Sequence, residues 1–180
     1  MPLRKEALRN EHSWWRIADP AWSDPLDATF AMRLGGRWNP PGSFPTLYLN
    51  EDLITARLNL RRFIALWPYE PEDLRDDTGP VLVEAHLPRN QTVCDCHTRQ
   101  GIAAAGLPSS YPHDPDGKAV PHVACQAVGM RAKSEGLRGV RARSAVTPDG
   151  AGRELAWFPA IVSSRARLVQ RLSFERWFWS

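Results

Sequence analysis

A short segment rich in glycine and proline carries the most distinctive chemistry of this 180-residue sequence. Residues 34–42 read LGGRWNPPG, and this composition excludes a regular helix or strand because glycine frees the backbone and proline fixes it. Arg37 offers a planar guanidinium that suits a phosphate or a carboxylate. Tyr48 follows in a β-type stretch, residues 46–49, where it could stack on a ligand or hydrogen-bond to it. The segment therefore predicts a shaped loop that forms an anion site.

Other interpretations of these residues remain open. Arg37 could be the partner of a surface ion pair, and Tyr48 could be a structural residue of its strand. The eight tryptophans are scattered along the chain, so most are expected in the core or at its rim. Trp38 is the exception, because its neighbours place it at the predicted site.

The elements that must position this loop are predicted from periodicity. Apolar residues at helical spacing predict a helix at 52–66, and the alternation at 81–87 predicts a strand. Turn signals predict an exposed loop at 106–121, followed by a helix at 122–135 that ends at a glycine. Further short apolar or β-type segments lie at 139–143, 155–158, 160–163 and 172–179. Two helices between strands, without regular βαβ alternation, predict an α+β fold with a bent or split mixed sheet and flanking helices.

Composition limits the possible classes of protein. The length and a hydrophobic content of 43% fit a single domain over residues 1–180. A net charge of +3 is too small and too dispersed to indicate nucleic-acid binding. No segment approaches the length of a membrane span, and three cysteines fit a reducing compartment, so we expect a cytoplasmic protein without membrane contact. The cysteines and histidine at 94–97 lack zinc-site spacing, so no metal is expected.

In their order along the chain, several segments resemble the RES domain family, the toxin half of bacterial toxin–antitoxin pairs. The resemblance has a core at about 14–160 and is carried by the segments 15–17 (WRI), 35–42 (GGRWNPPG), 47–49 (LYL), the helix that contains Ala56, and 139–144 (GVRARS). It implies a core similar to ADP-ribosyltransferases. It also implies consumption of NAD+ as substrate, by glycohydrolysis or by transfer of ADP-ribose to a protein acceptor. The implied partner is an Xre-type antitoxin with a helix-turn-helix domain, through which any contact with nucleic acid would be indirect.

The resemblance also implies roles for individual residues. Arg37 corresponds to the family arginine and would contact the diphosphate or the adjoining ribose of NAD+. Tyr48 would pack on the nicotinamide ring, with Trp38 nearby, and Ser144 would hydrogen-bond the nicotinamide-side ribose or the amide. Arg16 would be a second phosphate contact.

The sequence departs from the family pattern at the glutamate that the family carries on the helix. The family glutamate of the helix aligns with Asn59, which can hydrogen-bond a hydroxyl but supplies no charge. Glu154 stands where the family pattern more often has asparagine. The amide and the carboxylate thus either exchanged places, with Glu154 as a catalytic residue, or Asn59 and Glu154 are ordinary polar surface residues.

Three classes of function follow. The first is an NAD+-consuming RES toxin, and the second is a catalytically impaired RES-like domain that acts by binding a nucleotide or its antitoxin. The third is a basic protein that interacts with nucleic acid and has no NAD+ chemistry.

Overall fold

The computed structural model describes residues 1–147, 150–161 and 164–180. Within these ranges, eight strands form one mixed sheet with five α-helices, an α+β fold as predicted. The strands are β1 (Lys5–Ala7), β2 (Ser13–Ala18), β3 (Leu47–Asn50), β4 (Val81–His86), β5 (Thr92–Cys96), β6 (Gly139–Arg143), β7 (Arg153–Trp157) and β8 (Arg167–Leu172). The helices are α1 (Thr29–Leu34), α2 (Leu53–Ile64), α3 (Arg99–Ala105), α4 (His122–Ser134) and α5 (Phe174–Phe178). None of the helices in the described ranges is long and apolar enough to cross a membrane.

The sheet consists of two parts that meet between β3 and β2. Its strand order is β1-β5-β6-β7-β3-β2-β4-β8, and β5 and β6 form the parallel pair. Strands β2 and β3 share a single register pair, Trp15 with Asn50, whereas β2 pairs with β4 along its whole length. The sheet therefore splits at this junction, in agreement with the predicted bent or split sheet.

Two apolar clusters cover one face of the sheet on either side of the junction. The first joins α3 and α4 to β5, β6 and β7, with Cys125 and Phe158 fully buried. The other joins α2 and α5 to β2 and β4, with Leu60 and Phe174 fully buried. Because successive strand residues alternate between faces, a third cluster around Leu47 and Trp157 lies on the opposite face. The junction leaves a gap between the two helical clusters.

Several predicted elements are confirmed. The strand at 46–49 is β3, and the helices predicted at 52–66 and 122–135 are α2 and α4. The strand at 81–87 is β4, and the segments at 139–143 and 155–158 belong to β6 and β7. The segment predicted at 160–163 lies partly outside the described residues.

One element was predicted wrongly, and one predicted loop is less exposed than expected. The β-type run at 172–179 contains only the end of β8 and then helix α5, because Phe174, Trp177 and Phe178 follow helical spacing and pack together in the core. The loop at 106–121 is only partly exposed. Tyr111 is 1% exposed and Val120 is 3% exposed, because both side chains pack into the cluster beneath α4.

Candidate active site

Strand register places three polar side chains on one face of the sheet at the junction. Tyr48 and Asn50 are two residues apart on β3, so their side chains point to the same face. Asn50 pairs with Glu154 on β7, and Glu154 also pairs with Ala142 on β6. Directly paired residues share a face, so Glu154 lies beside Asn50 and close to Ser144, which follows the end of β6.

Glu154 is the centre of a hydrogen-bonded cluster. Asn59 Nδ2 donates to Glu154 Oε1 at 2.8 Å and to Asn50 Oδ1 at 2.7 Å. The hydroxyl of Ser144, which is fully buried, donates to the same Oε1 atom. The structure therefore brings together the two positions that depart from the family pattern, along with the predicted serine.

Helix α2 carries Asn59 to this cluster. Asp52 caps the helix, since its Oδ1 accepts a hydrogen bond of 2.7 Å from the backbone N–H of Thr55. The helix buries Ala56 and Leu60 against the sheet, which leaves the neighbouring Asn59 at the edge of the gap between the clusters. Its position therefore follows from the amphipathic pattern of α2.

The glycine-proline loop, residues 34–42, is built around the Tyr48 side chain. Tyr48 Oη accepts a hydrogen bond of 2.9 Å from Trp38 N and donates one of 2.8 Å to Asn39 Oδ1. A Cβ atom at Gly36 would lie 2.4 Å from Tyr48 Oη, so this position requires glycine. Burial raises the pKa of Tyr48 well above its ordinary value of 10.0, so the phenol stays neutral.

Arg37 projects from the same loop toward helix α4. Its Nη1 donates to Val120 O at 3.2 Å and approaches Cys125 Sγ at 3.8 Å. Burial alone would lower the pKa of Arg37, but the nearby Tyr111, Cys125 and Glu154 outweigh burial and raise it. The guanidinium therefore stays charged at neutral pH.

Trp38 does not take the predicted place beside the ligand. Its ring is 2% exposed and packs against Tyr111, with the ring centroids 6.0 Å apart. The residue contributes its backbone N–H to the site, through Tyr48, while the indole belongs to the core. Large aromatic side chains are usually buried, so the position of Trp38 within the motif did not mean that its ring is exposed.

Arg16 lies on β2, across the junction from Arg37. Its Nη1 donates to Asp27 O at 2.8 Å, and its guanidinium carbon lies 5.4 Å from the centre of the Trp22 ring. Burial lowers the pKa of Arg16 to about 10, which still leaves the side chain charged at neutral pH.

An open cleft of about 390 Å³ connects these residues. Five of the seven residues predicted for the site line the cleft, namely Arg16, Arg37, Tyr48, Asn59 and Glu154. Ser144 is buried behind Glu154. Sequence reasoning missed Asn50 and the exposed aromatic residues Trp22, Phe30 and Phe63 at the rim. Only Asn50 had a signal, because it lies two residues after Tyr48, directly beyond the strand predicted at 46–49.

The cysteine motif at 94–97 lies outside the cleft. Cys94 and Cys96 are fully buried in β5, with their Sγ atoms 3.6 Å apart. The His97 side chain instead approaches Glu6 and Asp95, and the three potential ligand atoms lie within 4.8 Å of one another. Arg4 and Arg141 already pair with these two carboxylates, which makes an ion-pair network the better description.

Comparison with known proteins agrees with this fold. A model of the RES domain family matches residues 13–176. The chain is also similar to a chain in the crystal structure of the M. tuberculosis MbcT–MbcA toxin–antitoxin complex, with 22% sequence identity and a TM-score of 0.74. The similarity covers 97% of this chain and 92% of that chain. No curated protein sequence matches.

Proposed function

Because the chain belongs to the RES domain family, we propose that it is a toxin that consumes NAD+, by glycohydrolysis or by ADP-ribosyl transfer to a protein. The observation that carries the proposal is the contact of Glu154 with Asn59 and Ser144 in a cleft that also holds Arg37 and Tyr48. This arrangement combines a carboxylate, hydrogen-bonding groups and a fixed positive charge, as cleavage of a charged dinucleotide requires.

The reaction needs stabilisation of positive charge on a sugar. The bond between ribose C1′ and the nicotinamide nitrogen breaks, and its electron pair neutralises the pyridinium ring. The ribose is left as an oxocarbenium-like group, which water or a protein nucleophile attacks at C1′ with loss of a proton. A fixed carboxylate beside the developing charge lowers the barrier.

Glu154 supplies that carboxylate in this proposal. Asn59 and Ser144 both donate to Oε1, and within the described part of the chain no hydrogen bond reaches Oε2. Oε2 would accept a hydrogen bond from a ribose hydroxyl while the carboxylate faces C1′. Arg37 would hold the diphosphate, and the ring of Tyr48 would lie against the nicotinamide.

The proposal is tested by release of nicotinamide from NAD+. We expect purified wild-type protein to release nicotinamide, with and without an added protein acceptor, and Glu154→Gln to reduce the rate about a hundred-fold or more. Glu72→Gln, at an exposed glutamate, is the matched control and should leave the rate unchanged. An active wild type with an equally active Glu154→Gln variant would remove Glu154 from the mechanism.

A second candidate function is a catalytically impaired domain that binds a nucleotide or an antitoxin. One observation favours it, namely that Oε1 of Glu154 is already held by two donors and Asn59 carries no charge. Such a domain would bind NAD+ without releasing nicotinamide.

The proposed partner is a helix-turn-helix antitoxin of the Xre type. The structural relative described above comes from a toxin–antitoxin complex, and an NAD+-consuming enzyme in the cytoplasm needs an inhibitor in the same cell. Coexpression of the chain with the product of an adjacent helix-turn-helix gene should suppress both toxicity and nicotinamide release.

A further inference from the structure

A second cavity adjoins the candidate active site. It measures about 320 Å³ and shares Arg16, Trp22 and Phe30 with the cleft of about 390 Å³. Ligand pockets in proteins usually measure roughly 300–1,000 Å³, so each cavity alone is near the lower limit. The shared residues make the two cavities one continuous surface with room for a ligand of two parts.

Two exposed aromatic rings form the apolar part of the second cavity. Trp22 is 36% exposed and Phe30 is 47% exposed, although large aromatic side chains are usually buried. Their centroids lie 6.0 Å apart with the ring planes inclined by 39°. Such a pair offers ring faces and edges to a planar heterocycle, and stacking of a base on an aromatic side chain does not require a particular base.

The charges of the second cavity are balanced. Arg16 and Arg33 line it together with Asp24 and Asp27. Both aspartates are fixed by local turns, since Asp24 Oδ1 accepts from Leu26 N at 2.9 Å and Asp27 Oδ1 accepts from Thr29 N at 2.8 Å. Equal numbers of opposite charges disfavour a free polyanion and suit an uncharged nucleoside with hydroxyl and amino donors.

Arg16 marks the boundary between the two cavities. Its guanidinium lies against the Trp22 ring, and in the described part of the chain its one hydrogen bond is to the backbone oxygen of Asp27. The remaining N–H groups are available to a ligand at the point where the cavities meet. In a dinucleotide, the diphosphate occupies that central point.

We propose that the second cavity binds the adenosine half of NAD+, with the adenine against Trp22 and Phe30 and the diphosphate held by Arg16 as a second contact beside Arg37. The proposal rests on the proposed function and specifies its substrate as a whole dinucleotide. A mononucleotide that carries the nicotinamide would occupy only the cleft around Glu154 and Tyr48.

The test compares NAD+ with nicotinamide mononucleotide, which lacks the adenosine half. Calorimetry on the full chain, with nicotinamide release followed in parallel, should show NAD+ binding at least about tenfold more tightly than the mononucleotide. Trp22→Ala should weaken NAD+ binding about tenfold, since base stacking contributes about 1–3 kcal/mol, and weaken binding of the mononucleotide much less, because Trp22 lies only at the rim of the cleft. Trp179→Ala is the matched control, because Trp179 is 48% exposed and lines a separate groove.

The possible outcomes separate this inference from the proposed function. Equal binding of the two nucleotides by the wild type, or equal weakening of both by Trp22→Ala, overturns the adenosine subsite and leaves the NAD+ proposal intact. Binding of neither nucleotide overturns both. Phe30→Ala repeats the measurement at the second ring, so that a folding defect of one variant does not decide the result.

Discussion

Asn59 and Glu154 form a hydrogen-bonded amide–carboxylate pair, and we propose that its members are exchanged relative to the family pattern. Such an exchange keeps the hydrogen bond, since an amide nitrogen donates to a carboxylate oxygen from either side. With Asn59 on α2 and Glu154 on β7, the charge lies on the sheet, beside Ser144, rather than on the helix. The site keeps one negative charge in either arrangement.

The exchange predicts a non-additive response to substitution. Asn59→Glu alone would place a second carboxylate next to Glu154, where Asn59 Nδ2 now lies 2.8 Å from Oε1. Like charges at that distance disfavour ionisation of both groups, so nicotinamide release should fall. Glu154→Asn alone removes the charge and should lower the rate about a hundred-fold or more. The double variant restores one charge and one amide and should recover much of the activity.

The double-mutant cycle is read from nicotinamide release at equal thermal stability of the variants. A coupling energy near zero between the two positions would show that they act independently. An inactive wild type that Asn59→Glu activates would instead establish the impaired-domain alternative.

Arg37 should carry affinity for NAD+ through the planar shape of its guanidinium. Arg37→Lys keeps the positive charge but loses the fork of N–H donors that matches a phosphate. We expect NAD+ to bind about tenfold more weakly, which corresponds to the loss of one charged hydrogen bond. Calorimetry measures the affinity, with Arg176→Lys at an exposed arginine of α5 as control. Unchanged affinity would show that Arg37 does not contact the ligand.

At the scale of an element, α4 holds the glycine-proline loop in place. Gln126 Nε2 donates to Gly36 O at 2.9 Å, and Cys125 Sγ lies 3.8 Å from Arg37 Nη1. A Cβ atom at Gly129 would lie 1.7 Å from Trp38 O. Because α4 touches the loop backbone, movement of this helix would displace Arg37.

This contact determines whether a glycine-to-alanine substitution in α4 stabilises or destabilises the protein. In an exposed helix, replacing glycine by alanine stabilises by roughly 1 kcal/mol. At Gly129 the added methyl group overlaps Trp38 O, so we expect Gly129→Ala to destabilise the protein by about 1–3 kcal/mol and to weaken NAD+ binding. Urea denaturation measures the change, with Met130→Ala at the exposed neighbouring position as control. A more stable Gly129→Ala variant would contradict the close approach.

The elements differ in how far the sequence could predict them. Helix α2 and strand β3 were predictable because their apolar periodicity is regular and each has one buried face. Helix α5 was not predicted, since its dense aromatic residues are as typical of a strand, although Phe174 and Trp177 follow helical spacing. Helix α3 was not predicted, although a threonine, Thr98, stands at its N-cap and a glycine, Gly106, ends it in the left-handed conformation.

For the whole molecule, the candidate cleft follows from strand order. Its residues come from β2, β3, β7, α2 and the glycine-proline loop, which are far apart in the sequence. No local pattern specifies that β7 lies between β3 and β6, and this order is what places Glu154 beside Asn50. The resemblance to a family supplied the residues of the site, whereas their contacts depend on long-range pairing that a single sequence does not encode locally.

An ion-pair network joins the N-terminal strand to the rest of the sheet. Arg141 on β6 donates to Glu51 through Nε at 2.9 Å and Nη2 at 2.6 Å, and its Nη1 contacts Glu6 on β1. His97 Nε2 lies 2.9 Å from the second oxygen of Glu6. Burial alone would raise the pKa of Glu6, but the His97 hydrogen bond and the Arg141 charge outweigh it and hold the pKa below its ordinary value of 4.5.

This network predicts a loss of stability in acid. Glu6 has a lower pKa in the folded than in the unfolded chain, so its contribution to stability is present above about pH 4.5 and is lost as the pH falls through the folded value. Glu6→Gln should reduce the free energy of unfolding near pH 7 and flatten its decline toward about pH 3. Urea denaturation across this range measures both effects, with Glu175→Gln at an exposed glutamate of α5 as control. A Glu6→Gln variant with the same acid dependence as the wild type would show that β1 is held by its pairing with β5 alone.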